Sequence, residues 1–209
     1  MKVVNLFPLS IIQEKISLDK NVKNEMTKEI ETMVSKSKNK DYKNKNESWT
    51  GDTQGFEYLN KNEKFKELFT HIKKTAIKYL NHLKINENVI DLYITRSWAT
   101  LSNGKENILP HNHLQSHISF AYYLKKSAED ANIVFIEEHF QNEIIPGVFR
   151  SPTVRNKGVI KEFNIFNAPS IDLNIEEDDL IMFPSKTFHR TQANKMNNGR
   201  ISISGDIVC

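Results

Sequence analysis

The apolar residues of this chain change period at Asn86. Before that point they recur every three or four positions. Val22, Met26, Ile30, Met33 and Val34, with Asp19 near the start, predict an amphipathic helix reaching about Ser35. Phe65, Leu68, Phe69, Ile72, Ala76, Tyr79, Leu80 and Leu83 form a second stripe, with Asn62 as its cap, and this face is core. Ser37 to Asn62, between them, is polar, carries Gly51, Gly55 and a Lys/Asn run, and reads as a loop holding Trp49 and Phe56. After Asn86 the segments Asp91 to Leu101, His117 to Leu124, Asn132 to Ile136, Lys161 to Phe166, Asp179 to Phe183 and Ile201 to Val208 are short and β-rich, and read as strands. Two helices followed by strands separated by turns predict an α+β chain. Its body is a β-sandwich or small barrel with the N-terminal helices packed on one face.

The 209 residues are expected to form one unit, 1–209, with a helical part over 1–86 and the β core over 87–209. The stretch Glu137 to Ile160, with Pro146-Gly147 and Ser151-Pro152, is long for a connection and is a candidate lid or substrate loop. No apolar run approaches the roughly 18 residues that a membrane span needs. Asn5 and Pro8 interrupt the apolar start, and Gln13-Glu14-Lys15 follow it, so a signal peptide is not expected. The single cysteine, Cys209, excludes an internal disulfide and a thiolate zinc site, which fits a reducing, cytoplasmic location. Any metal must then be held by His and carboxylates. The net charge of +3 lacks a strong basic block, so nucleic acid is not implied.

Two scarce residue types narrow the site. Only five of the 29 cations are Arg (96, 150, 155, 190 and 200), so an Arg here can be present for its planar fork. Three of the seven His, His111, His113 and His117, fall within seven residues. In an extended segment His111 and His113 project to the same side and can converge on one metal ion. A further imidazole, His189, follows the apolar strand Leu180-Ile181-Met182-Phe183 and its Pro184 turn, where a barrel delivers a third ligand from a neighbouring strand. Neutral imidazoles suit iron, zinc, copper or nickel. Arg200 and Ser202 share one face of the last strand and together can hold a carboxylate by charge-assisted hydrogen bonds.

The order H-x-H, a Tyr-Tyr-Leu strand, an acidic-Asp-Leu-Ile-x-Phe-Pro turn, a distal His and Arg-x-Ser resembles the Fe(II)- and 2-oxoglutarate-dependent oxygenases. The resemblance is strongest to an uncharacterised marine bacterial and phage subgroup related to the prolyl hydroxylases. Asn5-Leu6-Phe7-Pro8, the segment Trp49 to Phe56, and Trp98 resemble that subgroup as well, but only 96–124 and 176–206 are specific. The resemblance implies a double-stranded β-helix of jelly-roll, cupin-like type. It implies His111 and His189 as iron ligands, Arg200 assisted by Ser202 on the distal carboxylate of 2-oxoglutarate, and Tyr123 reaching the same carboxylate. It implies Fe(II), 2-oxoglutarate, molecular oxygen and an organic substrate, with hydroxylation coupled to decarboxylation of 2-oxoglutarate to succinate.

The chain departs from the superfamily at residue 113, which is His where most members carry Asp or Glu. Three neutral imidazoles leave a divalent ion at +2, which favours a dianionic co-substrate. The reading preferred here is His111, His113 and His189 together. The alternatives are His113 turned away from a two-His site completed by water or an anion, or a carboxylate, Glu137, Glu138 or Asp206, entering in its place. His117 is divided between a site-facing role and solvent, while His71, His82 and His139 read as structural or solvated. Trp98, Tyr122 and Phe183 read as core, and Arg96 and Arg190 as surface ion pairs. Two other functions fit the same residues: a cupin-like three-His metalloprotein that does not use 2-oxoglutarate, and a non-catalytic jelly-roll binding module. The substrate carries no recognisable code, and edge strands with a polar helix face allow a homodimer.

Overall fold

A computed structural model describes residues 1–38, 41–153 and 157–209, with the Asn44 side chain left out of the description. Asn39 and Lys40 of the Lys/Asn run, and 154–156 with Arg155, lie outside the described residues. Among the described residues the order is β1 (Ile12–Lys15), α1 (Lys20–Lys36), β2 (Trp49–Thr50), α2 (Lys66–His82), β3 (Tyr93–Ser102), β4 (Ile108–His111), β5 (Ile118–Lys125), β6 (Ile133–Ile136), β7 (Ser170–Asp172), β8 (Asp179–Pro184), β9 (His189–Thr191) and β10 (Arg200–Val208). They build a six-stranded sheet, β1-β8-β5-β10-β3-β2, and a four-stranded sheet, β4-β9-β6-β7. The pairings are antiparallel, and the fold is the expected jelly-roll double-stranded β-helix with two N-terminal helices.

Both helices start where the sequence provides an acceptor. The Asp19 side chain accepts from the Asn21 amide ahead of α1, and Asn62 accepts from the Lys64 amide ahead of a short 3-10 turn that feeds α2. The α2 stripe of Leu68, Phe69, Ile72, Ala76, Tyr79 and Leu80 is buried. It packs on the large sheet, where Phe69 meets Phe120 edge-on at 6.2 Å between ring centroids. Trp49, read from sequence as a loop aromatic, is fully buried and donates its indole N–H to Ser37 Oγ at 2.8 Å.

Strand alternation assigns the two faces of the large sheet. Phe120, Tyr122 and Leu124 of β5, Leu180 and Met182 of β8, and Ile201, Ile203 and Ile207 of β10 join the helices in the main core. Each fully buried large apolar side chain of this kind contributes about 1.5–3 kcal/mol. The opposite face carries Ala121, Tyr123, Ile181 and Phe183, which meet Ile133 and Phe135 of the small sheet. By the same parity Arg200, Ser202, Ser204 and Asp206 point between the sheets.

The strand expected over Lys161 to Phe166 does not form. Asn164 accepts from the Phe166 amide, Asn167 accepts from the Asn164 amide, and the chain turns there, so that the strand of this region is β7 instead. Short side-chain amides offering local hydrogen bonds have outcompeted the β-ladder. β1, β2, β4 and β9 are too short to show a period in sequence.

Candidate metal centre

Two local irregularities aim the imidazoles. In the β4–β9 ladder Ile108 pairs with Thr191 and His111 with His189, so β4 has one residue more than β9 between these pairs. The bulge absorbs Pro110, which has no N–H to give to a ladder, and sets His111 opposite His189. Just beyond β4 the backbone N–H of His113 donates to the Ser185 carbonyl at 2.9 Å, which fixes the loop to the end of β8. The three rings meet, with centroids 4.4 Å apart for His111 and His189, 5.1 Å for His111 and His113, and 5.3 Å for His113 and His189. One nitrogen from each lies within 4.8 Å of the others, so the three sequence-predicted imidazoles are brought together as a group able to hold a metal ion.

Hydrogen bonds fix which nitrogen faces inward. His111 Nδ1 lies 2.8 Å from the Leu109 carbonyl, and His189 Nδ1 lies 2.9 Å from the Thr187 carbonyl. A carbonyl only accepts, so both Nδ1 atoms carry the proton and both Nε2 atoms keep a lone pair. His113 Nδ1 lies 2.6 Å from Asp206 Oδ1, and an ionised carboxylate imposes the same tautomer. Burial holds the His189 imidazole down at about 3, helped by His111 and His113 and opposed by the bond to Thr187. Burial likewise lowers His111. Neutral rings with free Nε2 atoms are the form that ligates.

Asp206 is 2% exposed. Its Oδ2 accepts from Arg96 Nε at 2.7 Å and its Oδ1 is also 2.8 Å from Ser119 Oγ. Burial works to raise this carboxyl, but the hydrogen bonds from His113, Ser119 and Arg96 prevail and hold it below the usual carboxylate range. Asp206 thus lies on the Nδ1 side of the His113 ring. Of the other carboxylates weighed for residue 113's place, Glu137 accepts from the His139 and Phe140 amides and caps a turn.

A cavity of about 380 Å³ opens beside the imidazoles, lined by Trp98, Tyr123, Ser202 and Arg96 among others. Ser202 and Tyr123 are direct partners across the β10–β5 ladder. Burial pushes the Tyr123 phenol up to about 12, against the pull of the nearby Arg200 guanidinium. Arg200 itself does not line the cavity: it donates to the Ala131 carbonyl at 2.6 Å and to Ser102 Oγ at 2.9 Å, while its buried Nε has no partner. The expected carboxylate-binding trio thus shares one face, with two members in the cavity wall and the guanidinium behind it.

His117 is exposed, accepts from the Cys209 amide at 2.9 Å and does not line the cavity. Arg96 is more than a surface ion pair, because it stacks over the Trp98 ring at 4.7 Å and reaches both Asp206 and, at 3.8 Å, Asp52. The parts that sequence reasoning missed are Ser119 and Asp52. Ser119 was legible as an inward position of β5, in phase with Ala121 and Tyr123. Asp52 lies in a 3-10 turn of the long polar loop and left no periodic trace.

A family model of 2OG-Fe(II) oxygenases matches residues 96–206. No curated protein sequence matches. Among solved structures, the chain is similar to the nonheme α-ketoglutarate-dependent epimerase SnoN from nogalamycin biosynthesis, at 15% identity and a TM-score of 0.58 over 96% of this chain and 78% of that one. It is also similar to HygX from Streptomyces hygroscopicus with nickel and 2-oxoglutarate bound, at 11% identity and a TM-score of 0.58 over 96% and 83% of the two chains. AviO1 from Streptomyces viridochromogenes Tue57 gives 8% identity and 0.58 over 96% and 90%. At these identities the likeness is one of fold.

Proposed function

The chain belongs to the 2OG-Fe(II) oxygenase family, and from that premise we propose that it hydroxylates a small organic substrate, with Fe(II) held by Nε2 of His111, His113 and His189. When bound, Fe(II) and 2-oxoglutarate supply the oxidising chemistry: oxygen is consumed, 2-oxoglutarate leaves as succinate and carbon dioxide, and the substrate gains a hydroxyl. The donor set suits the ion, since three neutral imidazoles leave the divalent charge uncompensated and a dianionic co-substrate cancels it. Residues 1–209 act as one oxygenase unit in this reading.

The protein's own part is position and exclusion of water. The Leu109 and Thr187 carbonyls and the Asp206 carboxylate each keep a proton on Nδ1 and so keep Nε2 free. The Tyr123 phenol, protonated at any physiological pH, and the Ser202 hydroxyl would donate to the distal carboxylate of 2-oxoglutarate, with the Arg200 guanidinium behind them supplying charge; its unpartnered Nε supports this use. Trp98 and Phe183 form apolar wall. The observation that carries the proposal is the convergence of three imidazoles whose Nδ1 atoms all face acceptors. No described helix is long and apolar enough to cross a membrane.

The test is succinate production. Purified protein with Fe(II), 2-oxoglutarate and oxygen is expected to release succinate slowly without substrate and faster with the right one from a metabolite mixture. Iron-loaded protein that forms no succinate under either condition would contradict the proposal.

A further inference from the structure

His113 differs from its two companions in what stands behind it. His111 and His189 each give the Nδ1 proton to the carbonyl two residues earlier, a neutral and purely local acceptor. His113 gives its proton to a carboxylate from β10, at 2.6 Å, and both partners are buried. That carboxylate is held at both oxygens, by Arg96 Nε at 2.7 Å on Oδ2 and by Ser119 Oγ at 2.8 Å on Oδ1. The bulge between Asp206 and Ile207 on the β3 side, where Asp206 pairs with Arg96 and Ile207 with Ile94, lies at this position. Bulges beside a site re-aim a side chain.

We propose that Asp206 is a positioning residue for the metal centre: it holds the His113 ring in its ligating tautomer and lends it anionic character, so that the negative charge of the site lies one imidazole away from the ion. The inference rests on the three-imidazole centre proposed above. A carboxylate that accepts from Nδ1 increases the basicity of Nε2 and locks the ring plane, and losing such a partner costs roughly 10–100-fold in metal affinity. Arg96 does not cancel the effect. Its side chain is 41% exposed and is shared with Asp52 at 3.8 Å, whereas the bond that His113 donates to Asp206 is enclosed. An ion pair serving only to tie β10 to β3 would need Arg96 and Asp206 alone, and would leave the orientation of His113 to chance.

The experiment is an anaerobic Co(II) titration of full-length protein, read by calorimetry and by the visible d–d spectrum, on wild type, Asp206→Asn, Arg96→Gln, His113→Asp and the His113→Asp/Asp206→Asn double variant. Asp206→Asn is expected to weaken Co(II) binding about 10–100-fold and to shift the spectrum. Arg96→Gln, which removes the partner on Oδ2 but leaves the charge of Asp206 in place, is expected to cost less than Asp206→Asn. In the His113→Asp background there is no ring tautomer for Asp206 to set, and Asp206→Asn is expected to cost much less than it does in the wild-type background. Equal loss from Asp206→Asn in both backgrounds would mark a merely structural residue and overturn the proposal, as would unchanged affinity in the single variant. Either result leaves the three-imidazole reading standing, whereas wild type that binds no Co(II) overturns both. Should Asp206→Asn fail to fold, nitrogen-15 NMR of wild type decides: His113 protonated on Nδ1 with a strongly downfield proton is expected, and an Nε2-protonated ring would overturn the proposal.

Discussion

His111 and His189 are direct partners across the β4–β9 ladder, with ring centroids 4.4 Å apart. A ladder position is set by backbone hydrogen bonds, so the pair is in place before any ion arrives. His189→Ala is therefore expected to abolish tight Fe(II) binding while lowering the midpoint of thermal unfolding by only a few degrees. Metal content by elemental analysis after loading and desalting, beside a melting curve, checks this. A variant that retains a full equivalent of iron would remove His189 from the centre.

Metal should stabilise the fold, because it binds the assembled imidazoles and not the unfolded chain. At a free concentration about 100 times Kd the gain is about 2.7 kcal/mol. For a chain of this length that corresponds to a rise in Tm of about 5–11 °C, reversed by chelator. No difference between loaded and chelated protein would argue against a built site.

Acid should weaken the metal-free protein. His189 is held at about 3 against an ordinary 6.5. Between these values the unfolded chain binds the proton and the native chain does not, so stability falls as pH drops through that window, by up to about 1.4 kcal/mol per pH unit per group. His111 is lowered in the same direction. Asp206, lowered as a carboxylate, stabilises above the ordinary carboxylate range and loses that contribution below it. The urea midpoint of chelated protein is expected to be lower at pH 5 than at pH 7.5, and a higher midpoint at pH 5 would contradict the assignment.

Gly205 precedes Asp206 and cannot carry a side chain: a Cβ there would lie 2.5 Å from Phe120 Cζ and 2.7 Å from the Arg96 carbonyl. Phe120 is wedged against Phe69, so it cannot retreat without disturbing the helix–sheet core. Gly205→Ala is expected to cost about 1–3 kcal/mol. It should also loosen metal binding by shifting Asp206, which paired calorimetry and denaturant titration would register.

The helices, the main strands and the three imidazoles were legible because each leaves a local mark, whether a three-and-four stripe, a two-residue alternation or a scarce residue type. What was not legible depended on side-chain hydrogen bonds, some local and some between distant elements. The Asn164 and Asn167 turn displaced the strand expected at 161–166. Asp206 could be named from sequence as a carboxylate near residue 113, yet its hydrogen bond with His113 Nδ1 joins residues 93 positions apart, which spacing does not reveal. Arg200 was legible as a scarce cation on one face of the last strand with Ser202, but its bonds to Ala131 and Ser102 come from elements that sequence spacing does not relate.

Arg200, Ser202 and Tyr123 decide whether the centre takes 2-oxoglutarate, since a metal site alone does not make a 2-oxoglutarate enzyme. An anaerobic titration of 2-oxoglutarate into Fe(II)-loaded protein measures both at once through the visible charge-transfer band that forms only when the keto acid chelates the iron. A saturable band is expected in wild type, weakened at least tenfold in apparent affinity by Arg200→Ala at unchanged iron content. Absence of the band in iron-loaded wild type, or a band indifferent to Arg200→Ala, would mean that this site does not bind 2-oxoglutarate as proposed.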